Sequence, residues 1–289
     1  MLRRFLLVSA FALAALANAQ ERVRDVIYLK SNGAAFTMDV FKPKTPNGAA
    51  IIWLVSGGWY SNHEGINSQL ADAMTASGFT VFEVVHGAQP KYTIPEIAVQ
   101  IKRAVRFVHV NSATYGVDTN RIGLSGMSAG GHLSLLTAGT GDAGNPDAKD
   151  PVEQAPSTVA AVVAFMPPTD FLHYGTLSTK ELMSGITFAP FRPAFGFKPN
   201  ATDEDIAEIA KTVSPITYVT AKFPPTLLIH GDADPLVPIQ QSESFRDALK
   251  KQGVETDLVP VKGGKHDMVT FAGGFPRLIA WFQDKLKKK

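Results

Sequence analysis

The chain has 289 residues, of which 45% are hydrophobic and 19% charged, a globular balance with room for one large domain or two small ones. It carries 28 Lys+Arg against 26 Asp+Glu, and setting aside residues 1–19, which hold Arg3 and Arg4 and no acid, leaves 26 against 26. That neutrality gives no footing to nucleic acid or to an anionic membrane surface. The absence of cysteine excludes thiol nucleophiles, thiolate metal sites and disulfides, so the core alone must hold the fold.

Residues 1–19 read as a secretory signal. Arg3 and Arg4 precede an apolar run over 5–16, and Ala17-Asn18-Ala19 offers a small-x-small cleavage site ahead of Gln20. The run is too short and too promptly ended to be a membrane span. The expectation is an exported protein, periplasmic or extracellular, with one domain over 20–289. Residues 23–30 and 35–41 alternate like two antiparallel strands joined across Ser31-Asn32-Gly33. From there the pattern changes. Residues 49–55 are a continuous apolar run, the mark of a strand buried on both faces. Helical spacing comes next over 66–77 and stops at Gly78, and 79–85 is another buried strand. Residues 94–111 form a long amphipathic helix with Ile97, Ile101, Val105 and Val108 along one face. A short strand over 121–125 and a helix from 131 come after it, then strands at 159–165, 226–230 and 256–261 and a closing helix at 275–286. Strand alternating with helix after an opening hairpin predicts an α/β fold, a mostly parallel, doubly wound sheet of about eight strands.

One region breaks the alternation. Residues 171–199 interleave Phe171, Tyr174, Phe188, Phe191, Phe195 and Phe197 with Pro190, Pro193 and Pro199. Thr202 then caps a helix, with Asp205 three residues on completing a variant of the capping box. The segment 171–213 reads either as a lid over the strand ends or as a loop whose aromatics fill a satellite core.

Gly126-Met127-Ser128-Ala129-Gly130 is a G-x-S-x-G with a strand before it and a helix after it. A serine on such a sharp turn is pushed out of the sheet, and the flanking glycines avoid Cβ clashes where the turn crowds its neighbours. Ser128 is therefore the candidate nucleophile; otherwise the motif is a tight packing turn. A serine hydroxyl needs a base, and the base needs an orienter. His266 is the candidate base, because it comes after the last predicted strand through Lys262-Gly263-Gly264-Lys265, at the sheet's carboxyl edge where open α/β sheets place their sites. His63, His86, His109, His132, His173 and His230 are each less well placed. Two carboxylates come after the preceding strand. Asp234, further out and before Pro235, can reach the next loop, whereas Asp232 falls at the turn glycine and is the residue that would bond its own backbone. For the oxyanion, Ser56-Gly57-Gly58-Trp59 ends a strand with bare backbone, so the donors fall to Gly57 or Gly58 together with Ala129. Trp59 either faces a sugar or aromatic ring at the mouth of the site or packs as a core indole.

These residues resemble the α/β-hydrolase superfamily, and most closely its exported carbohydrate-esterase branch of acetyl-xylan and feruloyl esterase-like proteins, near the hormone-sensitive-lipase-like esterases. The resemblance runs over roughly residues 49–268 through Gly57-Gly58-Trp59, Gly126-Met127-Ser128-Ala129-Gly130-Gly131-His132, His230-Gly231-Asp232-Ala233-Asp234 and Lys265-His266. It implies a Ser128–Asp234–His266 triad and a serine ester hydrolase that forms an acyl-enzyme, acting without a cofactor on short-chain acyl, carbohydrate or aromatic esters. Val55-Ser56 stands where relatives usually carry His-Gly, and Met127 where an acid is frequent, which loosens any substrate inferred from them. A lipase or a peptidase on the same fold is the alternative, although peptidases of this fold generally need a gating domain for which about 270 residues leave no room. A binding protein on a hydrolase scaffold is the reading of another class. A metal hydrolase built on His63-Glu64 or on Asp232 and Asp234 lacks ligand spacing.

Overall fold

The computed structural model describes residues 21–288; the signal expected at 1–19 lies outside them. Eight strands form one sheet: β1 (Glu21–Ser31), β2 (Ala34–Lys42), β3 (Ala50–Val55), β4 (Thr80–Val85), β5 (Ile122–Met127), β6 (Ala161–Phe165), β7 (Thr226–Gly231) and β8 (Thr256–Val261). Their order is β1-β2-β4-β3-β5-β6-β7-β8. β1–β2 and β2–β4 pair antiparallel and every later pair is parallel, which is the α/β-hydrolase arrangement expected from the alternation. β3 and β4 are buried along their whole length because helices cover both faces.

Nine helices belong to the described residues: α1 (Ser68–Thr75), α2 (Ile94–Val110), α3 (Ser112–Tyr115), α4 (Ala129–Gly139), α5 (Pro151–Gln154), α6 (Thr179–Ser184), α7 (Asp203–Thr212), α8 (Gln240–Lys251) and α9 (Met268–Lys285). Their starts reflect local chemistry. Asn67 accepts from Gln69 N and Leu70 N at α1, and Thr93 with Glu96, Ser178 with Glu181, and Thr202 with Asp205 close capping boxes at α2, α6 and α7. α2 buries Ile97, Ile101, Val105 and Val108, the stripe read from the sequence.

Two of the longer helices differ from expectation. α8 is absent from the sequence reading; its buried Gln241, Ser242, Phe245 and Leu249 have helical spacing, but two of the four are polar, which dilutes the apolar period. α9 begins at Met268, not near 275, because Asp267 caps it through Thr270 N at 2.9 Å and carries it through Gly273-Gly274. Gly274 is there for packing, since a Cβ would overlap Ile229 on β7.

Two large clusters flank the sheet. One takes the α1 and α9 side, with Leu70, Met74, Phe271 and Phe282; the other takes the α2 and α4 side. The aromatics of 171–213 join the second: Phe171, Tyr174, Phe188 and Phe195 are all buried in it beside Trp59 and Leu133. They extend the main core and do not form a satellite. No helix among the described residues is long and apolar enough to cross a membrane.

Candidate active site

Ser128 stands between β5 and α4 with φ 55° and ψ −119°. That backbone is disfavoured for a residue with a Cβ, and the surroundings over-determine it. Ser128 N donates to Phe165 O at 2.8 Å, and the Ser128 carbonyl accepts from His132 N at 2.9 Å. A Cβ at Gly126 would meet the Gly130 carbonyl carbon at 2.5 Å, so strand and helix can pass this closely only with glycine there. The elbow aims the Ser128 hydroxyl away from the sheet.

The loops after β7 and β8 bring two further side chains to that hydroxyl. His266 Nε2 lies 2.7 Å from Ser128 Oγ, and His266 Nδ1 lies 2.7 Å from Asp234 Oδ2. The Asp234 side chain is fully buried. Its Oδ1 accepts from Leu236 N and Val237 N, both at 2.9 Å, and the His230 ring lies 3.5 Å from Oδ2. Burial opposes ionisation of Asp234, but the His230 and His266 rings and the Val237 amide outweigh it and hold the carboxyl well below the usual carboxylate range. A carboxylate at Oδ2 sets the His266 tautomer: Nδ1–H donates to Asp234, and Nε2 is left to accept from the serine.

Asp232 is exposed and turned elsewhere. Its Oδ1 accepts from Gly263 N at 2.6 Å, so it pins the loop that carries His266 instead of touching the imidazole. Gly231 and Gly264 press together at the same point, where a Cβ on either would strike the other.

The oxyanion candidates separate. Gly57 N donates to Tyr60 O at 3.0 Å and Tyr60 N returns a bond to Gly57 O at 2.9 Å, closing a two-residue turn over Gly58 (φ 56°) and Trp59 (φ 61°). The Gly57 N–H is therefore spent, a correction to its candidacy. Gly58 and Ala129 remain, and both line a small cavity of about 20 Å³ together with Ser128.

Trp59 is not a stacking face at the mouth. It is 3% exposed, with Phe171, Phe191 and Phe195 against its ring. Of the two possibilities left open by the sequence, the packed indole is the one observed. The insert supplies the rings that cover it, and they lie over a hundred residues further along. Its Nε1–H donates to His132 Nδ1 at 3.1 Å, and His132 Nε2 lies 2.7 Å from Val213 O. His132 is thus the Nε2–H tautomer, clamped between the oxyanion loop and the end of the insert. Burial pushes its pKa down to about 4 against the opposing Val213 bond, so it stays neutral. Sequence reading places His132 one turn past Ser128 without a role. The signal is the aromatic–His pairing of Trp59 with a helix-buried imidazole, and only the fold brings those two together.

Among the described residues no group of three or more His, Asp or Glu is placed to hold a metal.

A family model described as BD-FAE matches residues 38–249. The chain belongs to the BD-FAE family. This is a family of α/β-hydrolase esterases. Among its curated relatives, this BD-FAE chain is 31% identical over 209 residues to Esterase LipQ of Mycobacterium tuberculosis, covering 71% of this chain and 47% of LipQ. The chain spans about half the length of the curated relatives it matches. Its fold superposes with TM-score 0.77 on a truncated form of carbohydrate esterase from gut microbiota, at 25% identity over 93% of this chain and 97% of that one. It superposes with TM-score 0.72 on an acetyl ester-xyloside bifunctional hydrolase from Caldicellulosiruptor lactoaceticus, at 25% identity over 89% and 92%.

Proposed function

We propose that this BD-FAE protein is a serine ester hydrolase that removes short acyl groups, acetyl foremost, from carbohydrate-derived alcohols outside the cytoplasm. The observation that carries the reading is the continuous hydrogen-bonded series from Ser128 Oγ through His266 to the buried Asp234 carboxylate.

In this reading His266 Nε2 takes the Ser128 proton as Oγ attacks the ester carbonyl carbon. The carbonyl oxygen becomes an oxyanion held by the N–H groups of Gly58 and Ala129. Each such donor is worth roughly 3–4 kcal/mol in comparable sites. The C–O bond to the alcohol breaks and His266 passes its proton to the departing oxygen. Water then attacks the acyl-serine by the same route and releases the acid. Asp234 stays ionised throughout and stabilises the imidazolium.

The acyl preference is supported by the cavity beside Ser128, which holds about 20 Å³ and is closed by Trp59, Tyr174, Phe188 and Phe191. That volume is little more than one water occupies. The carbohydrate side is supported by what the two solved neighbours are named for, and the location by the signal-like residues 1–19.

The test is covalent labelling. A serine-directed organophosphate is expected to modify Ser128 stoichiometrically and abolish acetyl ester hydrolysis, and Ser128→Ala is expected to lose activity on the order of 10⁶-fold with unchanged circular dichroism. Full activity in Ser128→Ala, or a label on another residue, would overturn the mechanism.

A further inference from the structure

The segment between β4 and α2 has no part in the triad, yet one of its side chains reaches the oxyanion turn. Gln89 is 2% exposed and stands shortly past the end of β4. Its Nε2 donates to Gly58 O at 2.6 Å and to Pro190 O at 3.2 Å, and its backbone N donates to Trp59 O at 3.1 Å. Two carbonyl oxygens at one end of the amide fix that end as the nitrogen. The Oε1 end is left buried with no partner. A side chain placed there for packing alone has no need of that cost, which a methionine of similar length avoids.

We propose that Gln89 is the positioning residue of the oxyanion turn: it holds the Gly58–Trp59 peptide in the one orientation that keeps the Gly58 carbonyl off the oxyanion, and it ties the turn to the aromatic insert at Pro190. The proposal rests on the esterase reading of Ser128 and on Gly58 as an oxyanion donor. Gly57 O accepts from Tyr60 N, and the two residues between them have φ 56° and 61°, which makes a type I′ turn. Positive φ suits glycine but is rare in a residue as bulky as tryptophan. Type II′ needs it only at the first central residue, where Gly58 already stands. Turning over the single peptide between Gly58 and Trp59 interconverts the two turns and leaves both Gly57–Tyr60 bonds in place. The local sequence thus favours II′, and the structure holds I′.

The bond that tells the two turns apart is the one to Gln89. In the I′ form the Gly58 carbonyl faces the Gln89 NH₂. In the II′ form the Trp59 N–H would take the carbonyl's place, and two buried donors would meet. The indole bond to His132 and the Gly57–Tyr60 pair do not make this choice, since a peptide turned over between two Cα atoms leaves side chains and outer peptides where they are. The orientation matters for charge. Successive amides in helical backbone point the same way, so the Gly58 and Trp59 N–H groups face one side. Neither has an acceptor among the described residues, and both residues line the small cavity with Ser128. Turning the peptide over would set the Gly58 carbonyl oxygen beside the Gly58 N–H, a partial negative charge where the oxyanion develops. Gly58 is also pressed against the insert, since a Cβ there would lie 2.8 Å from Phe191 Cε1. With Pro190 O on the same NH₂ group, the acyl wall and the turn share one anchor.

Gln89→Met keeps the volume and removes the donor. Its kcat on an acetyl ester is expected to fall roughly 10²-fold with KM within about threefold, and its affinity for an acetyl-sized boronate is expected to fall in step. Its crystal structure is expected to show Trp59 at negative φ, with the 58–59 peptide turned over. A Trp59 that keeps positive φ, or a kcat within about threefold of wild type, overturns the proposal. Gln89→Glu serves if the first variant does not fold. Facing two carbonyls, its carboxyl donates only while protonated, so its kcat relative to wild type is expected to fall by about tenfold or more from about pH 6 to about pH 9. A constant ratio overturns the proposal. If the wild-type protein hydrolyses no acetyl ester and resists the organophosphate, the esterase reading has failed, and the Trp59 backbone in Gln89→Met still decides whether Gln89 holds the turn.

Discussion

On one side of Ser128 the rings of Trp59, Tyr174, Phe188 and Phe191 close to within about 20 Å³; on the other, Ser56, Tyr60, Met127 and Met268 stand around about 350 Å³. The difference lies in where the walls come from. The open side is made of the ends of β3 and β5, the segment that leads from β3 into α1, and the start of α9. The closed side adds residues 171–213, which cross back over the α2 and α4 face and bury their aromatics there. A hydrolase fold thus needs no addition to place a nucleophile, a base and an acid. In the reading proposed here, selectivity for a small acyl group comes from packing imported from elsewhere in the chain.

The two sides share one centre, and the largest effect is expected there. Asp234→Asn is expected to lower kcat on the order of 10⁴-fold, the cost of a wrong imidazole tautomer. Asp232→Asn is expected to stay within about tenfold, because Asp232 bonds the Gly263 amide and not the ring. Steady-state kinetics on an acetyl ester check both, and a crippled Asp232→Asn beside a healthy Asp234→Asn would reverse the assignment.

The closed side is next. His132→Phe keeps a ring but removes the acceptor for Trp59 Nε1 and the donor to Val213 O. With the Gly58–Trp59 turn no longer held, kcat is expected to fall roughly 10²-fold, the scale of losing one oxyanion donor. Affinity for an acetyl-sized boronate, which mimics the tetrahedral intermediate, is expected to fall in step, with KM little changed. Trp59→Phe removes the other end of the same bond, so the double variant is expected to be no worse than the worse single one. Full additivity would mean that the pair does not act as a unit.

A smaller change would erase the asymmetry. Phe188 is 6% exposed and lines the small cavity. Phe188→Ala is expected to raise kcat/KM for hexanoyl over acetyl esters by roughly tenfold or more, since a methylene in an apolar pocket is worth that much. A chain-length series of 4-nitrophenyl esters measures it. Wild-type activity rising steadily from acetyl to dodecanoyl would show that the aromatic wall does not limit the acyl group.

The smallest effect concerns the backing of the open side. Glu83 on β4 is fully buried, accepts from Asn67 N at 2.7 Å, and leaves Oε1 without a partner. Burial raises its pKa to about 8; the Asn67 bond and Arg22 pull the other way, and Asp39 adds to the rise. The folded protein therefore holds this proton from the ordinary carboxylate range up to about pH 8, where the unfolded chain has already lost it. With more protons bound in the folded state, stability falls as pH rises through that window. Glu83→Gln is expected to flatten that fall, with a Tm a few degrees above wild type near pH 8 and a smaller gap near pH 5. Parallel Tm–pH curves for the two proteins would remove Glu83 as the cause.

Much of this architecture was legible in the residues because it is local. Apolar runs fix a buried strand wherever helices cover both faces, a stripe at Ile97, Ile101 and Val105 fixes a helix, and Thr202 with Asp205 marks a helix start. The elbow was legible for the same reason: Gly126 is dictated by the backbone of Gly130, four residues further on. Ser128, Asp234 and His266 could be picked out because each lies just beyond a strand, and parallel strands deliver their C-terminal loops to one edge of the sheet.

Contacts between distant segments decided the features that the sequence left open. Whether Trp59 faced solvent or core turned on Phe171 and Phe195, more than a hundred residues away. Gly57 and Gly58 look alike as residues, and only the closure of the turn on Tyr60 spends one amide and frees the other. α9 runs unbroken through Gly274, a residue that helices disfavour, because the missing Cβ lets it pack on Ile229 of β7, a reason invisible within the helix. His132 drew its role from an indole on one loop and a carbonyl on another. Periodicity and turn chemistry are written in neighbouring residues, so they survive in a one-dimensional reading. Exposure, tautomer and the volume beside a nucleophile are set by which surfaces meet, and the tertiary structure alone brings those surfaces together.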